Sequence, residues 1–231
     1  MLSLLFNNRR DVSVRERIHK NKVFFLNINL HLYYLSRAIV DGVNLNRNTI
    51  MNLQQIENLA LELMNLDTLD INDKRLTLKD DSTNVTVAHA MAAKGYTFPL
   101  ESELLKLVGT ADWSVAHSMA SIGYDFPEDS ELLKLVDITG ESVAHVMAKR
   151  GYQFSENSGI LKLADFRGWT IAHTMAQQGY TFPLESELLK LVDDQGWTVA
   201  HVMADEGYQF PKGSELLKLV SKDIKGYEDD F

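Results

Sequence analysis

There is no cysteine in these 231 residues, which excludes disulfides, thiolate metal sites and a cysteine nucleophile. A chain without thiols is indifferent to redox compartment, and the reducing cytosol is the compartment expected for it. No uninterrupted apolar stretch reaches the roughly 20 residues that a membrane span needs. The most apolar window, VFFLNINLHLYYLSRAIV from Val23, is broken by Asn27, Asn29, His31 and Arg37, each costly in hydrocarbon, and reads better as a buried helix. A secretory signal is not expected, because MLSLLFNNRR places its short apolar run before its arginines, the reverse of a signal peptide. No phosphate loop, nucleophile elbow or metal-ligand spacing occurs, so no catalytic residue, cofactor or metal is expected.

Positive charge is scarce in the second part of the chain. Residues 1–84 carry 11 basic and 10 acidic side chains, whereas residues 85–231 carry 12 basic and 22 acidic, for a net charge of −9 overall. Such a field repels phosphates, so nucleic-acid binding through this part is not expected. Imitation of nucleic acid by an acidic rod, blocking a basic protein, stays open.

What the chain has in abundance is itself. A shift of 28 residues gives five copies beginning at Val85, Trp113, Glu141, Trp169 and Trp197, and eleven of the 28 positions never change. They are the residues of AHxMA and GYxF, a serine, and LKL. Thr198 or Ser114 can cap a first helix with Val199, Ala200, Met203 and Ala204 on one face. Gly207 and its equivalents end that helix. Ser214 is placed to cap a second helix with Leu216, Leu217, Leu219 and Val220 in one stripe. Asn84, Asp112, Gly140, Gly168 and Gly196, ahead of the five copies, are all residues that tolerate positive φ. A helix-loop-helix unit of this size cannot bury its own apolar stripes, so the units must stack as an all-α solenoid.

GWTVAHVMADEGY, with its Gly-x-Thr-x-x-His-x-x-Ala-x-x-Gly spacing, resembles the first helix of an ankyrin repeat, and SELLKLVDDQG is similar to the second helix and following turn. The resemblance runs from residue 85 to about 226. The departures are a unit of 28 residues where the family has about 33, no proline after the threonine, and no long hairpin between repeats. The resemblance implies a curved stack of helix pairs that binds proteins.

His89, His117, His145, His173 and His201 recur at one position. Stacked helices lie about 8–10 Å apart and a zinc-bound imidazole nitrogen lies about 2 Å from the metal, so neighbouring histidines cannot share an ion. The ankyrin resemblance implies instead that each histidine bonds neighbouring backbone and ties adjacent turns together. Constancy marks the scaffold, and function is expected where the copies differ.

The copies differ most in the two residues before the constant glycine and the two ahead of the turn residue. Ile122, Ile138 and Phe166 put large apolar groups where other copies are polar, and Lys149, Arg150 and Arg167 lie nearby in sequence. Exposed apolar groups beside cations are characteristic of binding hot spots, so these six residues are the candidate partner-binding site. The third copy is the least regular, with Glu141, Ser155, Gly159 and Ala164 replacing tryptophan, proline, glutamate and valine.

Residues 1–80 show no repeat and form a separate N-terminal unit. SVRERIHKNK, the window from Val23 and NTIMNLQQIENLALELMNL read as two or three helices, although Leu26–Leu32 also alternates like a strand. DKRLTLKDDSTN resembles a degraded second helix and turn, so this segment is expected to cap the repeats of residues 81–226. Residues 1–22 carry six basic side chains against two acidic, and residues 227–231 form an acidic tail. The expected function is a non-enzymatic module binding a protein partner, as an inhibitor or effector, in the cytosol of its own or of a host cell. The alternative is an enzymatic or regulatory activity in the N-terminal unit, with the repeats as its targeting part.

Overall fold

In the computed structural model, which describes residues 51–218, all regular structure is helical. Six α-helices follow one another: α1 (Leu53–Met64), α2 (Val87–Ala93), α3 (Val115–Ile122), α4 (Val143–Lys149), α5 (Ile171–Gln177) and α6 (Val199–Asp205). Each packs on the next, which is the arrangement of an α-solenoid. The helices read over residues 13–40, the alternative strand at Leu26–Leu32, the basic residues 1–22 and the tail 227–231 lie outside the described residues.

The repeated helices start where the sequence places a hydroxyl. Thr86, Ser114, Ser142, Thr170 and Thr198 are N-caps in extended conformation, and each accepts a bond from the backbone N–H of the histidine three residues on. The histidine side chain accepts in turn from the cap's N–H, so histidine holds the place that Glu or Gln takes in the usual capping box. At the other end the Tyr96 N–H bonds the Met91 carbonyl and the Gly95 N–H that of Ala92, closing the helix in a Schellman turn.

One face was expected to be apolar, yet α2 to α5 are buried almost all round. Val143, Ala144, His145, Val146, Met147 and Ala148 of α4 are all buried, and so are the matching residues of the other three. The reason is position: each helix has a helix before it, one after it and the 3₁₀ turn of the preceding unit against it. Phe98, Phe126, Phe154 and Phe182 fill the layer beneath, almost fully buried. The tyrosine two residues before each meets it edge-on at 4.7–4.8 Å.

The second element is helical but short. Glu103–Lys106, Glu131–Lys134, Gly159–Lys162, Glu187–Lys190 and Glu215–Lys218 are single 3₁₀ turns. The leucine that follows is already extended, as at Leu135 (φ −61°, ψ 131°), because its carbonyl accepts from the N–H of Val143 at the start of the next helix. A 28-residue unit leaves too few residues for a second α-helix before that bond must form. Val136 then bridges Ser142 antiparallel, with equivalent bridges in the other copies, so each junction is a miniature hairpin. Its last residue is left-handed in every case: Asn84, Asp112, Gly140, Gly168 and Gly196 have φ of 56–86°.

The N-terminal part enters the same row. Asn52 and Gln55 form a capping box on α1, whose Leu53, Ile56, Ala60 and Leu63 are buried, and α1 packs against α2. Residues 73–84 follow the path of the second half of a unit, with Asp73 capping a 3₁₀ turn at Lys74–Thr77, Leu76 buried, and Lys79 bridging Thr86.

Candidate interaction surface

The histidine column is built into the scaffold. His145 Nε2 lies 3.0 Å from the Trp169 carbonyl oxygen of the next repeat, and a carbonyl can only accept, so Nε2 carries the proton. Nδ1 then offers its lone pair to the Ser142 N–H at 3.2 Å and the Ser142 hydroxyl at 2.8 Å. His89, His117 and His173 make the same bonds, with the Trp113, Glu141 and Trp197 carbonyls as forward acceptors at 3.0–3.2 Å. Both ring nitrogens are thereby occupied. Burial disfavours the imidazolium and pushes His117 and His145 down to about 4, and lowers His173 as well.

The six candidate residues fall into two groups. Ile122, Lys149 and Arg150 stand at the C-terminal ends of α3 and α4, whereas Ile138, Phe166 and Arg167 stand on the hairpins that precede the helices. A seven-residue helix, about 10 Å long, separates the two groups.

Most of the first group is engaged internally. Lys149 pairs with Glu141, the residue that stands where tryptophan stands in three of the other copies. Trp169, by contrast, donates its indole N–H to Thr174 at 3.1 Å. In the third copy, then, an ion pair runs along the helix where other copies place a ring. Arg150 donates to the Ala120 carbonyl at the end of α3 at 2.9 Å and lies 3.7 Å from Asp125, fastening one helix end to the next repeat. Ile122 is 43% exposed beside it.

The hairpin group is exposed, and the backbone gathers it. Asp137, Ile138, Thr139 and Gly140 form a turn closed by the Gly140 N–H on the Asp137 carbonyl, and Asp137 Oδ1 accepts from the N–H groups of Thr139 and Glu141. The Phe166 N–H bonds the Thr139 carbonyl at 3.0 Å, just as Ile138 bonds Ala111 and Asp194 bonds Arg167. The hairpins thus form a ladder, one rung per repeat. Phe166 lies over the turn that carries Ile138, and the two side chains are 72% and 57% exposed.

Gly140 is required there twice over. Its φ is +79°, and a Cβ on it would come within 2.6 Å of the Phe166 ring and 2.7 Å of the Phe166 backbone nitrogen. Gly140→Ala is expected to cost about 1–3 kcal/mol through the left-handed conformation and the clash. Urea unfolding measures this, and an unchanged midpoint would remove the account given of Gly140.

Two features escaped the sequence pattern. Val108, Val136 and Val192, at the position of Val220 in the expected apolar stripe, are exposed, because the 3₁₀ turn ends two residues earlier and turns them outward. Val220 itself lies outside the described residues. The second is Lys162. In the first, second and fourth copies the lysine of the 3₁₀ turn pairs with the glutamate three residues before it, as Glu131 with Lys134 at 2.8 Å. Gly159 removes that partner from Lys162, and the glycine is visible in the sequence.

A shallow cleft of about 330 Å³ between the 3₁₀ turns of the first two copies is lined by Leu100, Glu101, Ser102, Glu103, Lys106, Glu131, Leu132 and Leu135, a set without a histidine. Among the described residues no helix is long and apolar enough to cross a membrane. No protein-family model matches the chain, and no curated protein matches it either.

Proposed function

We propose that this protein is a non-enzymatic protein-binding module, an ankyrin-like solenoid that meets its partner on the hairpin ladder of the second and third repeats. The observation that carries the reading is the exposed pair Ile138 and Phe166, held side by side by the Phe166 N–H to Thr139 carbonyl bond. Large apolar side chains on a rigid frame lose little entropy on binding and gain most of their contact energy by desolvation. An inhibitor or effector acting on another protein would use such a surface.

The test is affinity capture from lysate of the source organism with the wild type and an Ile138→Asp/Phe166→Asp variant, read by mass spectrometry. Both positions are exposed, so the variant should keep its stability within about 0.5 kcal/mol per substitution. A protein retained by the wild type should be lost from the variant. Identical capture by both would sink this surface.

A further inference from the structure

The chemistry around Phe166 narrows the partner. We infer that this surface takes a short linear segment in which an aromatic or aliphatic side chain stands next to carboxylates. The inference rests on the protein-binding reading above.

The apolar ground is narrow. On the four hairpins joined by the ladder the residue two ahead of the left-handed one is Thr110, Ile138, Phe166 and Asp194, so at this position only the middle two are apolar, and the exposed Val108, Val136 and Val192 stand two residues before it. Neighbouring repeats are about 8–10 Å apart and an extended chain advances about 3.3 Å per residue. Some three residues of ligand therefore cross both rungs, which fits a linear segment better than a broad face.

The charge of the ground is unusual for this molecule. The third copy, residues 141–168, has four basic residues against three acidic, whereas the second has one against five and the fourth one against four. Two of the third copy's cations are engaged within the stack, Lys149 with Glu141 and Arg150 with the end of α3. The other two, Lys162 and Arg167, stand four residues before Phe166 and one after it. Arg167 donates to Asp165 Oδ2 at 3.1 and 3.3 Å, yet its side chain is 75% exposed, and Asp165 is nearly buried and accepts from the turn N–H groups as well. Lys162 leads into the same hairpin without the glutamate that its counterparts have, and among the described residues no ion pair replaces it. Phe166, one of the exposed apolar anchors, thus belongs to the one copy whose basic residues outnumber its acidic ones, on an otherwise acidic stack. A carboxylate-bearing segment finds its counter-charges there, and a basic segment is drawn to the neighbouring copies instead. Nucleic acid and anionic lipid, though anionic, would have to bring extended charge across those acidic neighbours.

The probe is a displayed random heptapeptide library panned against the immobilised full-length protein and, in parallel, against Phe166→Asp and Lys162→Glu/Arg167→Glu. The wild type should enrich peptides that combine Phe, Trp or Leu with Asp or Glu. A synthetic peptide of the leading sequence should bind each variant about tenfold more weakly and should weaken with added salt. A pool that depends on Phe166 but is basic, or that ignores Lys162→Glu/Arg167→Glu, overturns the inference and leaves the binding reading standing. No pool that distinguishes wild type from Phe166→Asp overturns both. Outside the described stack, the chain itself carries a segment of this composition, Tyr227-Glu228-Asp229-Asp230-Phe231. Enrichment that appears only after Tyr227→Ser/Phe231→Ser assigns the surface to that segment and overturns an external partner.

Discussion

Between pH 6.5 and pH 4 the protein is expected to lose most of its stability. His117 and His145 have their folded pKa pushed down to about 4 by burial, from an ordinary value of 6.5. In that interval the unfolded chain binds protons that the folded chain refuses, so stability is fully present above pH 6.5 and falls as pH falls toward 4. Each unit of difference is worth about 1.4 kcal/mol, so each of these histidines contributes roughly 3 kcal/mol at neutral pH. Two such losses, with a further one in the same direction from His173, are comparable to the roughly 5–15 kcal/mol that holds an ordinary domain together. The bonding adds to the burial: a protonated Nδ1 would face the cap N–H with a second hydrogen, and the capping boxes of these three repeats would break.

Urea midpoints measured from pH 7.5 to 4.5, above the range where most carboxylates titrate, check this directly. His117→Gln/His145→Gln separates the cause. Glutamine can serve a capping box but does not extend to the next repeat's carbonyl, so the variant should be weaker at pH 7 and flatter in its pH dependence. A midpoint that is level across this range, or a variant with the wild-type slope, would place the acid sensitivity elsewhere.

Phe154→Ala should cost about 3–5 kcal/mol, the range for truncating a buried ring, whereas Phe166→Ala, twelve residues on, should cost no more than about 0.5 kcal/mol. Phe154 is 2% exposed and packs edge-on against Tyr152, and Phe166 is 72% exposed. The consequence goes beyond one site, because repeats in a row are coupled only through their neighbours. Loosening the third copy interrupts the row in its middle, so Phe154→Ala should broaden or split the unfolding transition, and Phe98→Ala in the first copy should do so less. Circular dichroism during urea unfolding reads both effects. A single sharp transition at the wild-type midpoint in Phe154→Ala would mean that the aromatic layer does not hold the stack.

Much of the frame was legible in the amino-acid order because it is local. The cap hydroxyl, the helix-ending glycine and the left-handed turn residue each act within a few residues, and their recurrence every 28 residues implied stacking. The second helix was overread for a non-local reason: Leu, Leu, Leu and Val at helical spacing look like a stripe, but Leu135 is drawn into extended backbone by Val143 of the next unit. The candidate surface was half legible. Substituted positions stood out, and Ile138, Phe166 and Arg167 do lie exposed on one ladder. Nothing in the letters said that Arg150 would fasten onto the Ala120 carbonyl or that Lys149 would reach back to Glu141.

The sequence by itself determined the repeat, the helix starts, the turn conformations and the acidic balance, all properties of short segments or of simple sums. Only the tertiary structure decided which constant residues face solvent, which cations are already paired, and which carbonyl of the following repeat takes the second nitrogen of His89, His117, His145 and His173. These are set by hydrogen bonds and contacts between units about 28 residues apart, and such bonds depend on how the backbones stack rather than on which residue stands next in the chain.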